Sequence, residues 1–183
     1  RAGRSQRTRA VPSWQRRMNG TTPLLTLRFQ ELVTQVCSAP EADWVVNLSL
    51  PIAPATLARD VLRHTPPSPL EIEQAIERVE DAVMPARAHL PQAFALQVDD
   101  APLREMAGGG PGSARPTDAP AWLSVQDVEN LFGRLVALSE GRPATQDALP
   151  SDGAHAARLV IVREILHHWG LGGCYGFQHG GAC

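Results

Sequence analysis

Lysine is missing from this 183-residue sequence, in which all 17 basic residues are arginines. Long apolar runs are missing too: the roughly 20 consecutive apolar residues of a membrane-spanning helix occur nowhere, which excludes that class of membrane protein. Three cysteines are too few for a disulfide-stabilised scaffold, and their odd number is typical of a reducing compartment. We therefore predict an intracellular protein, cytoplasmic by default, with an organelle matrix as the alternative.

The proportions of hydrophobic residues (43%) and charged residues (20%) are those of an ordinary globular protein. The length suits one domain and is short for two. We place a single domain at residues 23–183, with a flexible loop at 107–120, where glycine, proline and small polar residues are concentrated.

Residues 1–22 are predicted to form a basic, flexible arm. Residues 1–30 contain seven arginines and no acidic residue. The arginines that we single out as candidates for binding an anion or nucleic acid are Arg4, Arg7, Arg9, Arg16 and Arg17. Such a segment is typical of a solvated arm; the alternatives are the remnant of a targeting segment and a tail that binds RNA.

Hydrophobic spacing gives a first set of elements. Apolar residues at helical intervals predict a helix over residues 23–37, ended by Pro40. Residues 44–50 are β-branched, led by Trp44 and closed by Pro51, which predicts a strand. Pro54 then begins a short helix over residues 54–64.

The clearest helix begins at Ser68, where Ser68 and Glu71 form a capping box and Ile72, Ile76 and Val79 lie on one apolar stripe. A second strand at 93–98, two more capped helices and a glycine-rich tail follow. This order predicts an α/β or α+β fold, with helix-rich layers packed on a small mixed sheet. We expect both strands to lie in that sheet, with the Ser68 helix packed on it.

Four side chains that can bind a metal lie near the C-terminus: His168, Cys174, His179 and Cys183. Cysteine and histidine are common zinc ligands, and the spacing from Cys174 onward is similar to that of a zinc knuckle. The CxxC start of a knuckle is missing, so His168 would have to supply the fourth ligand from a helix end. We favour a terminal turn after a helix whose last histidines complement its macrodipole. The sequence thus predicts no cofactor, with zinc as the alternative.

Two further positions are candidates for chemistry. Asp99 and Asp100 follow the second strand, where carboxylates often bind a ligand or a metal. Because Asp100 precedes Ala101 and Pro102, it can also cap a short helix, which is the interpretation that we prefer. Cys37 lies on the apolar face of the first predicted helix and is interpreted as a buried structural thiol rather than a nucleophile.

Five stretches of the domain carry a family resemblance: LSLPI, PPSPLEIEQAIERVEDAVMP, FALQVDDAPLREMAG, LSVQDVENLFGRLVALSEGRP and AARLVIVREILHHWGL. With the tail GCYGFQHGGAC at the position of a last strand, residues 48–183 resemble the second, C-terminal lobe of the exopolyphosphatase and guanosine-pentaphosphate phosphatase family. The resemblance implies an actin-like (ribonuclease-H-like) lobe.

The resemblance also implies what this sequence lacks. That lobe of the family begins with an acidic, glycine-rich phosphate loop after a strand, and residues 1–47 contain none. Its second phosphate loop, a Gly-Gly-Thr type turn, would fall at Val98-Asp99-Asp100, where carboxylates would repel a phosphate. The family's first lobe, with the catalytic carboxylate and the metal, lies outside the resemblance. We therefore expect a degenerate copy that does not hydrolyse phosphoanhydrides.

These observations favour a non-catalytic interaction or regulatory domain that binds a protein partner, or a second copy of itself, through a helical face. One alternative is part of a phosphatase-type enzyme whose other lobe lies elsewhere. The other is an RNA- or assembly-associated protein that uses its basic arm. Whether the chain is an enzyme on its own stays open at this point, and we favour the interpretation that it is not.

Overall fold

The computed structural model describes residues 22–39, 42, 45–107, 121–147 and 149–177. Within these ranges the chain forms a six-stranded mixed sheet with helices packed around it. The strands are β1 (Leu24–Phe29), β2 (Thr34–Ser38), β3 (Asn47–Leu50), β4 (Ala95–Asp99), β5 (Ala121–Ser124) and β6 (Gly173–Phe177). The helices are α1 (Pro54–Asp60), α2 (Pro69–Ala86), α3 (Ala101–Ala107), α4 (Val125–Ser139) and α5 (Gly153–Trp169), with 3₁₀ turns at Arg87–His89 and Ala144–Gln146.

The strand order is β3-β2-β1-β4-β6-β5. The first three strands form an antiparallel meander, and β4 and β6 continue the sheet parallel to β1. Strand β5 lies at the other edge, antiparallel to β6. The carboxyl ends of β1, β4 and β6 therefore lie along one edge of the sheet, which we call the carboxyl edge.

The helix predicted over residues 23–37 is wrong, because this segment is the hairpin of β1 and β2. Its apolar residues fit a period of two as well as a helical period: Leu25, Leu27 and Val36 are all fully buried on the sheet. Contacts distant in sequence decide between the two, since β1 pairs along its length with β4.

The two predicted strands are confirmed within the described residues, as β3 and β4 of the same sheet. On α2, Ile72 and Val79 are buried and Ile76 packs against the core as a partly buried residue, as predicted. Strand β5 was missed because its four residues run directly into the cap of α4 at Ser124. The predicted loop at 107–120 begins on the last residue of α3, and the rest of it lies outside the described residues.

Helix α5 lies at the centre of the helical layer and contacts α1, α2 and α4. Asp152 caps its first turn by accepting hydrogen bonds from the N–H groups of Ala154 and His155. It ends at Gly170, whose φ of 69° is left-handed, a conformation that favours glycine at the end of a helix. Although α5 is buried on most sides, none of the helices within the described ranges combines the length and the apolar character that crossing a membrane requires.

Gly153, the first residue of α5, stands where a side chain has no room. A β carbon added there would lie 2.4 Å from the carbonyl oxygen of Leu62 and 3.3 Å from the β carbon of Ala58. We therefore expect Gly153→Ala to lower the free energy of unfolding by about 1–3 kcal/mol, measured by urea unfolding.

Gly133→Ala is the matched control for this prediction. Gly133 lies on the exposed side of α4, and nothing lies within 4 Å of a β carbon added there. Alanine should raise the free energy of unfolding by about 0.5–1 kcal/mol at this position, because glycine disfavours a helix interior. Similar effects of the two substitutions would contradict the close packing of α5 on the segment after α1.

Candidate functional site

The carboxyl edge is the natural place for a binding site in this fold, since ligands of open α/β sheets lie beyond the carboxyl ends of parallel strands. Two turns meet there. One is the β1–β2 turn, residues 30–33, and the other joins β4 to α3 through Asp99 and Asp100. The second of these is the position at which the family resemblance places its second phosphate loop.

The β1–β2 turn does not have the composition of a phosphate loop. It reads Gln-Glu-Leu-Val, with no glycine that would let the backbone approach an anion closely. The backbone N–H of Gln30 already donates to the carbonyl oxygen of Val33 at 2.9 Å. Glu31 adds an exposed negative charge, so this turn would repel a phosphate.

Asp99 ends β4 and faces Arg28 of the neighbouring strand. The two residues are partners in the register of β1 and β4, and Nε of Arg28 donates to Oδ2 of Asp99 at 3.0 Å. Their side chains are 19% and 12% exposed. This mostly buried ion pair bridges the two central parallel strands of the sheet.

Asp100 has two partners. Its Oδ1 accepts a hydrogen bond from the backbone N–H of Leu103 at 2.9 Å, so the predicted capping role at α3 is confirmed. Its Oδ2 accepts from Nε of Arg158 at 3.0 Å, and Nη1 of Arg158 also donates to the carbonyl oxygen of Ala154. The side chain of Asp100 is 8% exposed, which leaves it little room to contact a solute.

The two pairs determine the electrostatics of the edge. A phosphate site needs unopposed positive charge or free backbone N–H groups directed at the ligand. Here the guanidinium groups of Arg28 and Arg158 are each matched by a carboxylate. At these two positions the charges are therefore matched and internally hydrogen-bonded.

The predicted metal ligands of the tail have different surroundings. Cys174 on β6 is fully buried in the hydrophobic core, and burial raises the pKa of its thiol to about 12. His168 instead faces α2, with its Nε2 3.1 Å from Oε1 of Glu80. His179 and Cys183 lie outside the described residues, so this four-residue site stays a prediction.

Two further sequence predictions concern the basic arm and Cys37. The arginines of the basic arm, at positions 4, 7, 9, 16 and 17, lie outside the described residues, and their role stays a prediction.

Cys37, interpreted from the sequence as a buried thiol, is buried in β2 but is disulfide-bonded. The sequence missed this because spacing along the chain does not reveal which cysteines meet in space.

Sequence reasoning also missed the partners of the carboxylates, Arg28 and Arg158. Each is separated from its aspartate by more than fifty residues along the chain. Sequence reasoning also missed Glu164, the acidic partner of His168 on the same helix. This pair had a local signal, because residues four positions apart lie on the same face of a helix.

The same fold occurs in solved structures of phosphatases. The Ppx/GppA phosphatase of Aquifex aeolicus, type II variant, superposes with a TM-score of 0.69 at 11% sequence identity, covering 89% of this chain and 55% of that one. This chain has the fold of one Ppx/GppA lobe. An exopolyphosphatase from Cytophaga hutchinsonii has a TM-score of 0.65 at 13% identity, covering 86% of this chain and 53% of that one. An exopolyphosphatase-like protein has a TM-score of 0.60 at 14% identity, with 87% and 55% covered.

The actin-like fold predicted from the family resemblance is confirmed by these structures. The chain spans about half the length of each of them. At the level of sequence, no protein-family model and no curated protein matches it. The likeness is therefore one of fold, carried by the order of strands and helices.

Proposed function

We propose that this phosphatase-type lobe works as a non-catalytic interaction or regulatory domain. The observation that carries the proposal is the pairing of Asp99 with Arg28 and of Asp100 with Arg158 at the carboxyl edge. Both acids stand where an active lobe of this fold would present a phosphate loop, and both are engaged in holding the edge together.

Phosphoryl transfer needs groups that stabilise negative charge on the transferred phosphate. Carboxylates near a phosphate oppose this unless a divalent cation bridges them. At this edge each carboxylate is bridged by a guanidinium instead. A phosphate would have to displace Asp99 or Asp100 in order to pair with the guanidinium of Arg28 or Arg158, and this competition favours the edge without a bound anion.

The outer face of α2 supports the interaction role. Leu70 and Met84 are large apolar side chains that are exposed to solvent, and four helical turns place them on nearly the same side of α2. Exposed acids, Glu73 and Glu77, lie between them. The partner that we propose for this face is a protein surface, or a second copy of the chain, with apolar and basic groups.

The test is an activity assay on the purified chain. With magnesium and either polyphosphate or guanosine pentaphosphate, we expect no release of phosphate above the rate without protein. A two-lobed exopolyphosphatase assayed in parallel serves as the positive control. If the chain turns over substrate and Asp99→Ala abolishes the turnover, Asp99 is a metal ligand and the proposal is wrong.

A second candidate function is half of a phosphatase-type enzyme, favoured by the coverage of about half of the solved structures. In that case both ion pairs would have to open when the other lobe binds. RNA binding through the basic arm of residues 1–22 stays a prediction from the sequence, as does an intracellular location.

A further inference from the structure

Three side chains that can bind a metal meet between two helices, away from the carboxyl edge. Glu80 comes from α2, and Glu164 and His168 come from successive turns of α5. Nε2 of His168 lies 3.1 Å from Oε1 of Glu80 and 3.5 Å from Oε2 of Glu164. One ligand atom from each residue lies within 4.8 Å of the others. We call these three residues the α2–α5 cluster.

The distances suit a small divalent cation. Zinc binds imidazole nitrogen and carboxylate oxygen at about 2.1 Å, so neighbouring ligand atoms in a tetrahedral site are about 3.4 Å apart. The two separations from His168 already have this size. Glu80 has a side chain that is 38% exposed, so it can rotate to shorten the remaining separation.

The charges also favour a cation. Glu164 is 1% exposed, and a buried carboxylate requires compensation. Its Oε1 accepts from Arg163 at 2.5 Å, but that guanidinium also pairs with Glu129. Two carboxylates, Glu129 and Glu164, therefore share the guanidinium of Arg163. A divalent cation at Oε2 of Glu164 would supply positive charge beyond that guanidinium.

The ligand set indicates the class of metal. Calcium and magnesium prefer sets made of oxygen alone, whereas one imidazole with two carboxylates suits zinc and other first-row divalent ions. We propose that Glu80, Glu164 and His168 bind a zinc ion, or a similar first-row ion, with water completing the coordination. The proposal shares His168 with the tail site predicted from the sequence, but it replaces the cysteines with carboxylates.

The experiment is zinc titration of the full chain after treatment with a chelator, followed by calorimetry and thermal unfolding. We expect one equivalent of zinc, and a rise in Tm of about 5 °C or more when free zinc is a hundredfold above Kd. Glu80→Gln and His168→Gln should each weaken binding at least tenfold. The matched controls Glu77→Gln, on the exposed face of α2, and His167→Gln, next to the cluster, should bind as the wild type does.

Two measures keep the test decisive. Glu164→Gln removes a buried charge beside Arg163 and can unfold the chain, so the test relies on Glu80→Gln, whose melting without metal should match that of the wild type. Cobalt(II) in place of zinc should give d–d bands without a thiolate charge-transfer band, as expected when no cysteine is a ligand. Failure of the wild type to bind zinc, or wild-type affinity in Glu80→Gln and His168→Gln, would overturn the proposal.

Discussion

Asp100→Ala is expected to lower the free energy of unfolding by about 2–4 kcal/mol, which corresponds to a fall in Tm of about 5–10 °C. The substitution leaves the guanidinium of Arg158 mostly buried without its carboxylate. It also removes the acceptor for the N–H of Leu103 at the start of α3. Loss of a helix cap alone costs about 1 kcal/mol, so most of the effect comes from the broken ion pair.

A double-mutant cycle separates these two contributions. Asp100→Asn keeps an oxygen that can cap α3 but removes the charge, and Arg158→Met removes the partner. The double variant Asp100→Asn with Arg158→Met should be more stable than the two single effects predict, with a coupling of about 1–2 kcal/mol. As the matched control, Asp60→Ala breaks the exposed pair with Arg59 and should leave Tm unchanged.

The sign of this effect bears on function. Residues that bind a ligand or a metal are commonly held at a cost to the fold, so their removal often leaves stability unchanged or raises it. A residue that belongs to a structural ion pair behaves in the opposite way. If Asp100→Ala were as stable as the wild type, the carboxyl edge would have to be reconsidered as a ligand site.

Local signals account for the parts of the fold that the sequence predicted. The start of α2 is an example: Ser68 and Glu71 cap each other reciprocally, with the N–H of Ser68 donating to Oε2 of Glu71 at 2.8 Å. All the groups involved lie within four residues. The position of Asp99 and Asp100 was found for the same reason, because a strand followed by a helix start is visible in a short window.

Interactions between distant segments account for what was missed. Residues 24–36 have an apolar pattern that suits a helix or a strand, and pairing with β4, about seventy residues away, decides for a strand. The partners at the candidate sites have the same origin. Arg28 meets Asp99 at a separation of 71 residues, and His168 meets Glu80 at 88. The acids and bases could be identified from the sequence, but their pairing depends on the sheet and the helical layer.

The second large effect is expected at Glu71, which should make the stability of the protein depend steeply on pH in acid. Burial by itself would raise the pKa of this carboxyl. Hydrogen bonds from the N–H groups of Ser68 and Arg63, and the side chain of His64 at 2.8 Å, outweigh burial and lower the pKa to about 2 from an ordinary value of 4.5. The folded state therefore holds Glu71 ionised where the unfolded state would protonate it.

The direction of the pH dependence follows from this difference in pKa between the folded and the unfolded state. A carboxyl with a lowered pKa stabilises the fold fully above pH 4.5, and this contribution disappears as the pH falls from about 4.5 to about 2. The full pKa shift corresponds to about 3 kcal/mol. Urea unfolding of the wild type and of Glu71→Gln at pH 7 and pH 2.5 measures this contribution. Glutamine keeps a capping side chain at this position but does not titrate. The variant should therefore lose less free energy of unfolding than the wild type between pH 7 and pH 2.5. Glu73→Gln, at an exposed position of α2, is the matched control and should follow the wild type.

The comparison isolates Glu71 from the other acids. Asp147, whose pKa is held at about 2 first of all by its hydrogen bonds with Arg134, also destabilises the fold on protonation. It is present in the wild type and in Glu71→Gln alike, so its contribution cancels in the difference between them. Parallel loss of stability in the two proteins would mean that the hydrogen bonds to Glu71 do not lower its pKa, and that the segment from Arg63 to Ser68 is held to α2 by apolar packing instead.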